Sequence, residues 1–525
     1  MADGWARRST RSAWHRPVAT EGLADTLQPC RSGTRRSTFL AYSKATDTTI
    51  TTSLQDLIDA AGGPLAHLRS HKWNRRGPAS LTPDRLIPQL PPEFSRWDLE
   101  STSWHAGVAL FDQTHHMGGL RIWGPDAIRF LSGLACNNLA VTIPGRAHQM
   151  LLVTERGHFI GEDILFHLEQ DDYFIVGVPF ALHWIQYHAE HTDLDIEIET
   201  DDTRSPVYAN GHSNERKYFR YQLQGPNAWA LLEHLNAGPI DGVAFFHLTE
   251  VTIGGHRLRA LRHAMAGAPG LEVFGPWELR DEVRDTILDE GRPYGLTLVG
   301  SAAYLAGGTE GGYLPWAVPG IYADPALEAY RRWLPARHLE GWTRLSGSLA
   351  LPSVEDYYMT PYEFGYGHLV RFDHDFIGRE ALMRQDPATA RRKASIVWDV
   401  DDAADLFAEF LDPAGSKLRP ITLPMPLDRA DINYDAVTVG DRPVGSGHLT
   451  AYSQAERALF TLALLDGEMR DGDEVVVHWG EAGGGHGDGV IEPDAIRRIR
   501  GTVSPAPLTR VAREDYAGRR TWRSR

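Results

Sequence analysis

Apolar positions recur along the chain with two periods, and the change between them predicts its elements. From Thr52 onward, Leu54, Leu57, Ile58 and then Leu65, Leu68 have helical spacing, broken at Ala60-Ala61-Gly62-Gly63. A proline-rich connector follows through Pro83, Pro88, Pro91 and Pro92. Short alternating or apolar runs then predict strands at Gln149–Thr154, Ile160–Phe166 and Tyr173–Val178, and at His256–Ala260 and Leu271–Phe274. After about residue 390 the helical runs fade. Ala394–Val400, Ala436–Val439, Val444–Thr450, Leu459–Leu465 and Glu474–Trp479 read as strands, with turns at Gly440-Asp441 and Asp471-Gly472-Asp473.

One pattern repeats. Ile122-Trp123-Gly124-Pro125-Asp126-Ala127 returns 101 residues later as Leu223-Gln224-Gly225-Pro226-Asn227-Ala228. Each copy follows an alternating strand and precedes an amphipathic helix, with glycine for the sharp turn and proline suited to a first helical turn. Gly275-Pro276 joins a third strand to a helix over Trp277–Glu290. These units predict an α+β arrangement with a duplicated lobe, the repeat lying near 119–135 and 220–236. The expected division is a disordered extension over 1–50, a catalytic region of two α+β lobes over 51–390, and a mostly β C-terminal domain over 391–525.

Charge and composition narrow the classes. Residues 1–50 hold eight Lys/Arg and four Asp/Glu, so the remainder carries −20 of the net −16. An acidic body of this kind exerts no global pull on nucleic acid or anionic membrane. The longest apolar runs, such as Phe174–Leu182, are nine residues, well short of the ~20 a spanning helix needs. Cys30 and Cys136 are the only cysteines, which excludes a disulfide scaffold or cysteine-rich metal site and fits a reducing cytoplasm. The start lacks the apolar core of a secretory signal. No P-loop, dinucleotide-binding, zinc-protease or nucleophile-elbow motif is present. Gly483–Gly489 reads as a flexible loop. His183, His188 and His191 are spaced by five and three, which does not put three ligands on one helical face, so no metal site is expected.

At Phe111-Asp112-Gln113-Thr114-His115-His116-Met117, the two Gly-Pro-x-Ala turns and Pro361-Tyr362-Glu363-Phe364-Gly365-Tyr366-Gly367, the sequence resembles a known family. Leu261–Glu272, Val299–Tyr304 and Phe372–Arg379 add to the likeness, which runs from about residue 52 to about 520. The chain is similar to the tetrahydrofolate-dependent aryl O-demethylases of the vanillate and syringate type, within the glycine-cleavage T-protein superfamily. The resemblance implies a three-lobed ring with tetrahydrofolate in the central hole: two related α+β lobes and a β-barrel-like C-terminal domain. It implies a small aromatic ether as substrate, and leaves the oligomeric state open.

The chemistry needs a proton or strong hydrogen bonding where the leaving phenolate develops charge. A tyrosine, with a reference pKa of about 10, matches a phenol. Tyr304 stands at the family's catalytic tyrosine. The resemblance places Glu272 as the clamp on the pterin, accepting its amino group and ring N–H side by side. It places Gln113 near the folate, His116 near the aromatic substrate and the proton's path, and Glu310 and Tyr313 along the folate channel. Two departures bear on substrate. Asn138 stands where aminomethyltransferases carry an aspartate, which disfavours glycine-cleavage activity. Val178 replaces an arginine that pairs a substrate carboxylate, which favours a neutral methoxyarene or a methylenedioxyarene such as sesamin. A substrate-pocket tyrosine of the family is also missing near Ile87.

Overall fold

The computed structural model describes residues 52–69, 90–115, 117–201, 216–240, 242–263, 265–315, 317–336, 338–425, 431–483, 491–492 and 494–516. His116, Ile87, the extension over 1–50 and most of the glycine-rich stretch at 484–490 lie outside them.

The first helix, Leu54–Ala61, starts on a capping box. Ser53 Oγ accepts from the Asp56 amide while the Asp56 carboxylate takes the Ser53 amide. It stops at Gly62, whose left-handed backbone ends the helix at the predicted break. Leu54 and Ile58 are buried, and the Leu54 amide donates to Leu334 O, tying this helix to the Glu328–Trp333 helix.

Both repeat units form as strand, turn and helix: Gly118–Trp123 to Ala127–Leu134, and Tyr218–Gln224 to Ala228–Leu235. The turns require glycine. Gly124 and Gly225 have φ of 122° and 137°, and a Cβ would lie 2.6 Å from Asp195 O and 2.3 Å from Gly107 O respectively. The prolines fall just outside the helices, which begin after Asp126 and Asn227, so proline shapes the turn and does not serve as a first helical residue.

The first unit belongs to a five-stranded sheet ordered Ala147–Val153, Phe159–Glu169, Asp172–Gly177, Gly118–Trp123, Glu197–Asp201. The second belongs to a six-stranded sheet ordered Leu296–Val299, Val108–Asp112, Tyr218–Gln224, Gly270–Pro276, His256–Leu261, Leu248–Ile253. In that sheet only Val108–Asp112 with Leu296–Val299 is parallel. Each sheet covers its repeat helix with apolar residues. Ile122, Phe130 and Leu131 lie in one core, and Leu223, Leu231 and Leu232 in the other.

The C-terminal part closes into a six-stranded barrel: Arg392–Trp398, Ala458–Leu465, Arg442–Ser453, Asp435–Val439, Glu474–Trp479 and Arg497–Ser504. The last strand is not among those the sequence predicted. It hides behind Arg497, Arg498 and Arg500, yet it buries Ile499, Gly501 and Val503 in strict alternation and pairs with the first strand to shut the barrel. Val400 opens a helix, Val400–Glu409, and does not end a strand, because Asp399 accepts from the amides of Asp401 and Asp402. Among the described residues no helix is long and apolar enough to cross a membrane.

Candidate active site

The strand Val108–Asp112 runs inside the six-stranded sheet and delivers Gln113 to a cavity of about 220 Å³. The Gln113 amide donates to Arg220 O at 2.9 Å, which fixes the backbone at the cavity edge. Its side-chain Nε2 donates to Gln222 Oε1 at 2.8 Å and to the Tyr304 hydroxyl at 3.2 Å. Tyr304 comes from the buried helix Ser301–Glu310 and packs edge-on against Phe111, with ring centres 5.3 Å apart. Burial holds its hydroxyl well above the usual phenol range, while the nearby Arg220 guanidinium pulls it down.

Part of the cavity lining is apolar: Met117, Ile164, Val176, Phe245, Phe246 and Met265. The rest is largely polar and comes from all three parts of the chain. Gln149, Glu162 and Asp163 belong to the five-stranded sheet, Arg220 to the six-stranded sheet, Tyr313 and Tyr366 to the segments between, and Lys393 to the first barrel strand.

Glu162 is fully enclosed. It accepts from Gln149 Nε2 at 3.0 Å and from the Tyr313 and Tyr366 hydroxyls, with Lys393 as its cation. Burial still raises its carboxyl above the usual range. Asp163 is pushed well above its ordinary value by burial and by Glu162 beside it. The Asp163 carboxyl is buried, and the Val178 backbone amide is its hydrogen-bonding neighbour. Its carboxyl lies directly over Gly177, where a Cβ would sit 1.7 Å from Oδ1.

Glu272 lies beside this lining. Oε1 accepts from Arg220 Nε at 2.7 Å and pairs with Nη2 at 2.6 Å, both residues being almost fully buried. Oε2 is a buried acceptor with no partner among the described residues. The carboxylate thus has one oxygen, not two, to offer a pterin. The orphaned Glu272 oxygen fits a ligand that brings an N–H donor into a dry site.

The remaining expected residues fall as follows. Tyr313 lines the cavity. Glu310 does not: Trp104 Nε1 donates to its Oε2 at 3.2 Å, His105 Nε2 lies 3.0 Å away, and Ser453 Oγ donates to Oε1, so the side chain fastens the barrel to the lobes. His115 packs edge-on against Trp277, and burial lowers its imidazole to about 4. His183 pairs not with the neighbouring histidines but with Glu340 at 2.8 Å and His338 at 2.7 Å, outside the cavity.

Two expectations besides Glu310 are corrected, while Tyr304 and Glu272 stand beside the lining residues Gln113 and Arg220 and are not themselves part of the lining. Val178 does not line the cavity. The strand ends at Gly177 and Val178 is the N-cap of the helix Pro179–Glu190, so its side chain joins the first lobe's core. Asn138 is not at the site either. Its Oδ1 accepts from the Ala140 amide in a surface turn, so it says nothing about a missing base. The acids that do line the cavity, Glu162 and Asp163, escaped the sequence reading, as did Arg220 and Lys393. A signal was present: Arg220, Gln222 and Gln224 alternate on a central strand, where polar side chains on one face need a reason.

Lys393 carries a pH prediction. Nζ donates to Gly312 O at 3.0 Å, and burial lowers its pKa from the usual 10.5 to about 8, partly opposed by Glu162. Between those values the unfolded chain binds a proton that the folded one has released. Stability therefore rises with pH across that window and is lost as pH falls toward about 8. Buried tyrosines oppose this near the top of the window, so the informative quantity is the difference between wild type and Lys393→Met. Urea midpoints at several pH values between about 7.5 and 9.5 are expected to climb more steeply for the wild type; equal slopes would refute the assignment.

Residues 83–324 match the GCVT N-terminal domain family. The chain is 33% identical over 474 residues to the syringate O-demethylase of Sphingobium sp. (strain NBRC 103272 / SYK-6), covering 90% of this chain and 99% of that one. It is 29% identical over 423 residues to the sesamin methylene transferase of Sinomonas sp. (strain No.22), covering 75% and 88%. An aminomethyltransferase of Lysinibacillus sphaericus (strain C3-41) is 25% identical over 312 residues, covering 58% and 71%. Among solved structures, the glycine cleavage system aminomethyltransferase T from Bartonella henselae superposes with a TM-score of 0.53 at 14% identity, covering 80% of this chain and 91% of that one. That last likeness bears on fold alone.

Proposed function

The chain belongs to the aryl O-demethylase family of the glycine-cleavage T-protein superfamily, and from that premise we propose that it is a tetrahydrofolate-dependent one-carbon transferase that opens aryl ethers. The observation that carries this reading is a buried phenol, Tyr304, whose hydroxyl accepts a hydrogen bond from Gln113, a residue that lines a cavity of mixed apolar and polar character. When bound, tetrahydrofolate supplies the N5 amine that takes the methyl carbon and gives up a proton, while the aryl oxygen keeps the bonding pair and gains one.

The protein's own groups divide the work. Met117, Ile164, Val176, Phe245 and Phe246 seat the arene and keep water from it. Glu272 Oε2 receives a pterin N–H group. Tyr304 gives its proton to the departing oxygen. Burial raises the Tyr304 phenol, but the product phenol is buried beside it and raised for the same reason, so the two remain matched. Burial and the neighbouring Glu162 push the Asp163 carboxyl well above its ordinary value, which disfavours a second full charge beside Glu162.

The substrate is a neutral arene. The charge of each cavity cation is already neutralised, Arg220 by Glu272 and Lys393 by Glu162. A substrate carboxylate would add a permanent uncompensated charge to the ground state, at a cost of several kcal/mol, whereas the charge on a leaving oxygen is transient and ends as a protonated phenol. Methylene transfer from a methylenedioxyarene is the second reading, favoured by the likeness to the sesamin enzyme; it needs the same donor. An aminomethyl substrate has less in its favour, the aminomethyltransferase relatives being less similar and matching less of the chain.

The expected result with purified protein, tetrahydrofolate and an arene panel is turnover of neutral methoxy- or methylenedioxyarenes with little on vanillate or syringate. Mass spectrometry of the folate separates the two readings, as 5-methyl or 5,10-methylene product. Faster turnover of vanillate than of its decarboxylated analogue would refute the neutral reading. Turnover of no aryl ether at all would refute the function.

A further inference from the structure

Arg220 is a buried charge that the step just described leaves unused. It sits on the central strand Tyr218–Gln224, two residues from Gln222, and so on the same face as the Gln113–Gln222–Tyr304 chain. Glu272, paired in register with Gln222 on the adjacent strand, takes Arg220 Nε and Nη2 on one oxygen. That pairing occupies one edge of the guanidinium. On its other edge Nη1 meets the sulfur of Met117 at 3.9 Å, and Arg220 and Met117 both line the cavity. A thioether is a weak acceptor, so the hydrogen-bonding capacity of this edge is largely unspent. The strand also fixes where the edge stands: Arg220 O accepts from the Gln113 amide, and the Gln113 side chain holds the Tyr304 hydroxyl.

We propose that Arg220 offers its Nη1 edge to the oxygen leaving the arene, and so sets how basic a phenolate the enzyme can expel. This rests on the aryl-ether reading above. In the step, the bond between the ether oxygen and its methyl carbon breaks, with the electron pair going to the aryl oxygen. The carbon's new bond is to the folate N5, and the proton gained by the oxygen through Tyr304 is balanced by the one N5 releases. As the bond lengthens, negative charge grows on an oxygen in a site closed to water. A fixed cation there lowers the barrier more for a poor leaving group than for a good one, because more charge resides on oxygen in the transition state of the poor one. Arg220 is suited to this because Glu272 neutralises it in the ground state while holding its orientation, so no reorganisation is needed when the charge arrives.

The test is a leaving-group series. Methoxyarenes whose product phenols range from guaiacol-like to nitro-substituted are turned over once with tetrahydrofolate by wild type, Arg220→Met and Arg220→Lys. Lysine keeps a cation for Glu272 but lacks the second edge, so it serves if the methionine variant does not fold. With the variants, the rate is expected to fall by about 100-fold or more for the most basic leaving groups, the scale of a lost oxyanion donor. It should fall less than about fivefold for the nitro-substituted ones, which steepens the dependence of rate on phenol acidity. A parallel drop across the series, with the slope unchanged, would mean that Arg220 only supports Glu272, and would overturn the proposal. Inactivity of the wild type on every member would instead overturn the aryl-ether reading, and this inference with it.

Discussion

Tyr304→Phe is expected to lower turnover by about 10²–10⁴-fold while leaving tetrahydrofolate affinity unchanged. The substitution removes one oxygen from a ring fixed against Phe111, so the packing of the Ser301–Glu310 helix survives. What it removes is the hydroxyl that accepts from Gln113 and that the proposed reaction uses as proton donor. Gln113 keeps Gln222 as a partner at 2.8 Å, so no amide is stranded and a secondary loss of folding is not expected. Single-turnover rates and folate titration calorimetry on the same preparation separate chemistry from binding. A variant that retains more than half the wild-type rate would show that the proton comes from another group.

Glu272→Gln is expected to do more damage than a lost ligand contact. In an exposed setting it would cost about 1.5–3 kcal/mol of folate binding, the scale of one charged hydrogen bond. Here Glu272 also balances Arg220, and both are buried. Removing one partner of such a pair leaves an uncompensated charge in the interior, and destabilisation of about 3–5 kcal/mol is expected. Urea denaturation measures that directly. The double variant Glu272→Gln/Arg220→Met removes both charges, and is expected to recover much of the stability while folate affinity stays low. If the double variant is no more stable than the single one, the pair is not the reason.

These outcomes differ from what the sequence alone would lead one to expect for Glu272, and the difference has a physical cause. The sequence shows which residue type stands at a strand, not what stands across from it. Glu272 was legible as an acid with a task. Its partner was not, because Arg220 reads as an ordinary polar position on an alternating strand until the sheet order buries it between two neighbours. Glu162 and Asp163 were lost in the same way, inside a run that otherwise reads as strand.

Val178 shows a sharper limit. Period-two alternation carries it onto the face of Val176, which does line the cavity. The strand ends one residue earlier, and the chain turns into a helix before the alternation reaches it. A boundary error of one residue moved a side chain from the site to the core. By contrast, the duplicated turns, the first helix and its break, and five of the barrel strands were legible, because glycine backbone and apolar period are properties of the local chain. The sixth barrel strand was obscured by its outward-facing arginines.

Gly177 contributes no functional group, yet the Asp163 carboxyl occupies the space that any side chain at 177 would need. In a saturation scan scored by activity, this position is expected to reject every substitution as firmly as Tyr304 does, alanine included. A designer widening the pocket for bulkier ethers would therefore gain nothing at 177 and should work along Met117, Ile164 and Phe246 instead. The floor of the site is set by a missing atom, and a catalogue of reactive side chains would pass over it.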